Sequence, residues 1–157
     1  MIEQFIQRAQ AVGAECVRAA NRREALQTIE EIVGGRPAVW AGALSVESGV
    51  TRETAAQAEA GVSEMDWGVA ETGTLLCDAS AVEKRLVSTL PLTHIAILPE
   101  ARIVADLATA LAKFDVTRCG YLAAITGPSR TADIERVLTI GVHGPKRLVI
   151  VLVGDAA

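Results

Sequence analysis

Residues 93–98 read Thr93-His94-Ile95-Ala96-Ile97-Leu98, and residues 147–153 read Arg147-Leu148-Val149-Ile150-Val151-Leu152-Val153. Both runs are short and almost wholly apolar. A strand that reads this way is covered on both faces, as in a parallel sheet flanked by helices. Between the two runs the pattern alternates. Glu100 to Lys113 places Ile103, Leu107, Ala110 and Leu111 at helical spacing behind Pro99, which predicts a helix. Tyr121 to Thr126 predicts a strand. Thr131 to Ile140 predicts a second helix, with Asp133 and Glu135 in its first turn where they favour the dipole. Strand and helix in alternation predict an α/β fold with a mostly parallel sheet.

Upstream, Phe5 to about Ala20 predicts a helix carrying Phe5, Ile6, Ala9, Val12 and Val17 near one face. Asn21 caps a second helix that runs to Val33, where Gly34-Gly35 ends it. These two helices are expected to form an N-terminal helical segment, residues 1–35, packed on an α/β domain of residues 36–157 within a single domain. Pro37 to Ala43 predicts a short strand and Thr51 to Ala60 a short helix, while Val62 to Val69 fits either state. Thr74 to Cys77 predicts a strand after a turn, and Arg85 to Pro91 an ordered loop.

Half of the residues are hydrophobic and only 3% are aromatic, so the core is built from Ala, Val, Leu and Ile. The net charge of −4 and the lack of a basic block argue against nucleic-acid binding. Cys16, Cys77 and Cys119 show no C-x-x-C spacing, which leaves no local zinc or iron–sulfur motif. Reduced, buried thiols and a cytoplasmic setting are the expectation. Met1-Ile2-Glu3-Gln4 opens no continuous apolar run of the signal-peptide kind, and no stretch reaches the about 18 apolar residues of a membrane span.

Several segments carry polar residues that no core needs. Thr126-Gly127-Pro128-Ser129-Arg130-Thr131-Ala132-Asp133 joins the predicted strand at 121–126 to the predicted helix. A strand-to-helix loop sets backbone N–H groups at the positive end of a helix, and the planar fork of Arg130 matches a carboxylate or phosphate. Helix capping by Ser129 and Thr131, with Arg130 paired to Asp133 or Glu135, explains the same residues without a ligand. Ala70-Glu71-Thr72-Gly73-Thr74 puts a Glu in a Gly-containing turn, suited to a nucleophile or general base, or equally to a backbone cap. Arg85, Ser88 and His94 are the polar members of 85–94, and His94 leads into a buried strand, where a structural role is the ordinary one. His143 lies in the turn Gly141-Val142-His143-Gly144-Pro145. The two histidines share no metal-ligand spacing, and the common nucleophile and nucleotide fingerprints are missing from the sequence.

Taken in order, Ala70-Glu71-Thr72-Gly73-Thr74, Arg85-Leu86-Val87-Ser88-Thr89-Leu90-Pro91 with His94, Thr126-Gly127-Pro128-Ser129-Arg130-Thr131-Ala132-Asp133-Ile134-Glu135 and Gly141-Val142-His143-Gly144-Pro145 resemble the lactate-utilisation protein C family (LutC/YkgG, the LUD domain). The resemblance runs from about Asp66 to Val153, and the family's longer N-terminal region is the point of departure. It implies a three-layer α/β fold of the NagB/RpiA/CoA-transferase kind. It also implies a place in the iron–sulfur-dependent oxidation of L-lactate to pyruvate. The clusters would sit on partner proteins, and this chain would hold no cofactor and no metal. The residues expected to bind a small anionic metabolite are Thr72, Gly73, Arg85, Ser88, His94, Thr126, Gly127, Ser129, Arg130, Thr131, Asp133 and His143. A stand-alone enzyme acting on a small carboxylate, acyl-CoA or sugar phosphate, with Glu71 as nucleophile or base, is the alternative. The analogy there is with the catalytic Glu turn of class I CoA transferases. A structural or regulatory module is a third reading. The oligomeric state is open.

Overall fold

A glycine decides how the chain begins. In the computed structural model, which describes residues 1–42, 49–132, 138–140 and 143–155, helix α1 spans Ile2–Ala11. Gly13 takes φ +93°, its N–H bonds the Gln10 carbonyl at 2.9 Å, and the Ala14 N–H bonds Ala9 at 3.0 Å. This pair of bonds is a Schellman stop. The chain then enters strand β1, Glu15–Ala19. The single helix expected over Phe5 to Ala20 is therefore a helix and a strand.

The second helix follows expectation. Helix α2 spans Arg22–Val33, Asn21 accepts the Glu24 N–H at 3.1 Å, and Gly34 closes it in the left-handed region. Strand β2 (Ala38–Ala41), helix α3 (Arg52–Gln57, capped by Thr51) and strand β3 (Ala60–Glu64) come next. Then come β4 (Trp67–Val69) and β5 (Thr74–Asp78), joined by the turn at residues 70–73. The span 62–69, open in the sequence, is thus strand on both sides of a break.

Three expectations fail in the second half. Arg85 to Pro91 belongs to helix α4, Val82–Thr89, which stops just before Pro91 as helices do. After β6 (Thr93–Pro99), the expected helix from Glu100 to Lys113 is a 3₁₀ turn (Glu100–Arg102), strand β7 (Ile103–Val104) and a short helix α5 (Leu107–Leu111). Asp106 starts α5 by accepting the Thr109 N–H at 2.7 Å. Beyond β8 (Leu122–Ile125), the expected helix over Thr131 to Ile140 is replaced by antiparallel strands β9 (Arg130–Ala132) and β10 (Leu138–Ile140). Asp133 and Glu135, assigned to that helix's first turn, lie outside the described residues. Strand β11 (Arg147–Val153) matches its expectation.

Among the described residues, a five-stranded sheet runs in the order β1-β11-β6-β3-β2, parallel throughout. The fold is α/β with a mostly parallel sheet, as the sequence predicts. A four-stranded sheet runs β7-β4-β5-β8. One face of the parallel sheet buries Val62, Ile95, Ile97, Val149 and Val151 against Ala25, Ile29 and Val33 of α2. The opposite face buries Ala96, Leu98, Leu148, Ile150 and Leu152 against Phe5 and Ala9 of α1 and Leu75 and Cys77 of β5. Helix α4 packs on that second face too, where the Val87 carbonyl passes so close to Gly61 that a Cβ would lie 2.1 Å from it. Strands β6 and β11 are buried on both sides, which is why they read as unbroken apolar runs. No helix of the described residues is long and apolar enough to cross a membrane.

Candidate functional site

The turn at residues 70–73 and the loop after β8 meet at one end of the β5–β8 pair. Thr72 and Thr74 alternate with Gly73, so their hydroxyls fall on one side of the chain, 2.7 Å apart. Thr74 Oγ1 in turn lies 2.8 Å from Thr126 Oγ1. This relay of three hydroxyls ties the first motif to the third. Glu71 stands beside it, exposed, and its carboxylate makes no hydrogen bond or ion pair with the described residues.

The third motif meets the fourth through the backbone. The Ser129 N–H donates to the Pro145 carbonyl at 2.9 Å, and Gly144 lies so close that a Cβ there would be 3.0 Å from Ser129 Cβ. His143 is exposed on the same turn. Thr131 lies in β9, and Asp133 lies outside the described residues.

The C-terminal end of α1 sits on this assembly. A Cβ on Gly73 would lie 2.3 Å from the Ala9 nitrogen, and one on Gly127 would lie 2.4 Å from the Val12 carbonyl oxygen. Both glycines also hold φ near +70°, so each serves the turn and the close approach together. Arg130 Nη2 donates to the Val12 carbonyl at 2.6 Å. A cation there complements the negative end of α1. The sequence reading put a helix N-terminus at this loop. The structure puts a helix C-terminus there, so the dipole argument for an anion is reversed and only the guanidinium remains in its favour. The place of Ala9, Val12 and Gly13 at this site does not follow from the sequence reading, which sets Ala9 and Val12 on a helix face; the helix-stopping Gly13 is the signal that could reveal it.

The remaining candidates stand elsewhere. Arg85 Nη1 donates to the Ala79 carbonyl at 3.1 Å, and its guanidinium lies over the Tyr121 ring at 5.0 Å. Ser88 Oγ donates back to the Arg85 carbonyl within α4. Ala79 and Tyr121 flank the end of β5–β8 opposite to Thr74 and Thr126. Five strand steps, roughly 17 Å, separate the two groups. His94 is 1% exposed, and its Nε2 shares a 2.8 Å hydrogen bond with Ser63. Burial depresses its pKa to about 4, so the ring is neutral and occupied within the core. Buried and bonded to Ser63, it is a structural histidine. Among the described residues, no three His, Cys, Asp or Glu side chains gather where a metal could be held.

The LUD domain family matches residues 38–153, a stretch that includes every described motif above. The chain belongs to the LUD domain family. Lactate utilization protein C of Bacillus velezensis is 39% identical over 109 residues, 66% of this chain and 45% of that protein. The protein of the same name from Bacillus subtilis is 39% identical over 107 residues, 64% of this chain and 45% of its own length. The chain thus matches less than half the length of these LUD relatives. A crystal structure of a DUF162 family protein from Deinococcus radiodurans superposes with a TM-score of 0.74 at 23% identity. It covers 98% of this chain and 96% of that one, and supports the fold over that stretch.

Proposed function

We propose that this LUD-domain chain serves lactate utilisation, as one component of a system that oxidises L-lactate to pyruvate in the cytoplasm. Its own part is to bind a small anionic metabolite at the signature cluster, with the redox centres on iron–sulfur partner proteins. The observation that carries this reading is the convergence of segments 71–74, 126–130 and 143–145. These separated segments come to one place, and relatives named lactate utilization protein C match across most of this chain. Arg130 spends one N–H on Val12, and its remaining donors can take a carboxylate. The Thr72–Thr74–Thr126 relay offers hydroxyls to a hydroxy or keto group beside it. Glu71, exposed beside the relay, would accept a hydrogen bond from a substrate hydroxyl.

The test is growth on L-lactate of a strain deleted for this gene and without a paralogue. Growth is expected to fail and to return with the unaltered chain. Arg130→Ala and Thr126→Val should restore it poorly while remaining folded by circular dichroism. Affinity capture should bring down iron–sulfur proteins. Normal growth of the deletion strain on lactate would sink the proposal.

A further inference from the structure

At the opposite end of β5–β8 from the signature cluster lies a second feature, a cleft open to solvent. Trp67, Val69, Leu76 and Asp78 point away from the parallel sheet, and α5 with the segment that follows it covers part of that face. The remainder is a cavity of about 470 Å³. That volume lies within the range of metabolite pockets, about 300–1,000 Å³. None of the signature residues lines it.

Three cations line this cavity: Arg102, Lys113 and Arg118. None of them forms an ion pair among the described residues, whereas Arg18, Arg22, Arg36 and Arg147 all do. Arg102 and Lys113 are instead placed over the Trp67 indole, 5.3 and 5.4 Å from the ring centre. Three carboxylates also line the walls, and each is committed to a backbone N–H rather than to a cation. Asp66 Oδ2 accepts from the Asp78 N–H at 2.7 Å, Asp78 Oδ1 from the Ser80 N–H at 2.9 Å, and Asp115 Oδ1 from the Thr117 N–H at 2.9 Å. The carboxylates fix the loops. Among the described residues, no carboxylate is paired with these three cations.

We propose that this cavity binds a small multivalent anion, a phosphate- or polycarboxylate-bearing molecule held by Arg102, Lys113 and Arg118 above Trp67. Guanidinium groups suit such an anion because they bond two oxygens at once. The inference rests on the chemistry of the cavity alone. Lactate growth tests the signature cluster and anion titration tests this pocket, so either can fail without the other.

The chain has two tryptophans, so Trp40→Phe leaves Trp67 as the sole indole reporter. Pyrophosphate and citrate, titrated at constant ionic strength, should give saturable one-to-one changes in its fluorescence. Calorimetry on the unaltered chain repeats the measurement where Trp40→Phe disturbs folding. Saturation by pyrophosphate alone identifies a phosphate ligand, and saturation by citrate alone a polycarboxylate. The double variant R102Q/R118Q should weaken binding at least about tenfold, given the strength of charge-assisted hydrogen bonds. Arg52→Gln, on exposed α3, should leave it unchanged. The proposal is overturned if neither anion saturates at millimolar concentration, or if the double variant binds as tightly as the unaltered chain.

Discussion

His94 shows how far a residue's chemistry depends on its surroundings. In the sequence it stood among ligand candidates; in the fold it is a neutral ring bonded to Ser63. Its folded pKa, about 4, lies below the ordinary 6.5. Between those values the unfolded chain binds the proton that the folded chain refuses, so stability falls as pH drops from 6.5 towards 4. The contribution lost across that window is about 3 kcal/mol. Urea unfolding at pH 7.5 and pH 4.5 should show it, and His94→Gln, though less stable at neutral pH, should lose less over the same interval. Equal losses in the two proteins would refute the assignment. Cysteine follows the same logic. Burial pushes the Cys16 and Cys77 thiols up to about 11, so at neutral pH both stay protonated and poorly nucleophilic. Ellman's reagent should modify these two slowly in the folded chain and rapidly in urea.

At the scale of elements, the contact between α1 and the signature turns is fixed by small residues. Gly73→Ala would drive a methyl into the Ala9 backbone, and Gly127→Ala would drive one into the Val12 carbonyl, each at a positive φ. Each substitution is expected to cost about 1–3 kcal/mol in urea unfolding, from strain and overpacking together. Gly35→Ala, with φ +75° but open space around it, should cost less. A Gly73→Ala protein as stable as Gly35→Ala would show that α1 does not press on the turn. Elements bounded by a local signal were legible in the sequence: Asn21 and Gly34 bracket α2, and the apolar β6 and β11 could be nothing but covered strands. Elements that depend on distant partners were not. Cys16 to Ala19 has helical spacing and becomes strand because β11 lies beside it. Ile103-Val104 becomes strand through Gly68 and Val69. The 126–131 loop shows the same limit in the site. Its residues were identifiable by type, yet the helix end they meet comes from more than a hundred residues earlier.

At the scale of the molecule, the sheet order separates position in space from position in the chain. Strand β11, the last of the described strands, lies between β1 and β6, and its residues 149–153 pair with residues 15–19 across nearly the whole sequence. Such long-range pairing slows folding, because the chain must close a large loop before the contact stabilises it. Removal of residues 147–153 is therefore expected to abolish cooperative urea unfolding, whereas loss of an edge strand would only lower the midpoint. A cooperative transition in the shortened chain would contradict this. During synthesis the consequence is one of timing. Until residues 147–153 have been made, β1 and β6 lack the strand that pairs with both of them. Two unsatisfied strand edges would then be exposed to any passing β-segment, and the interval before residue 153 emerges is when a chaperone would matter most.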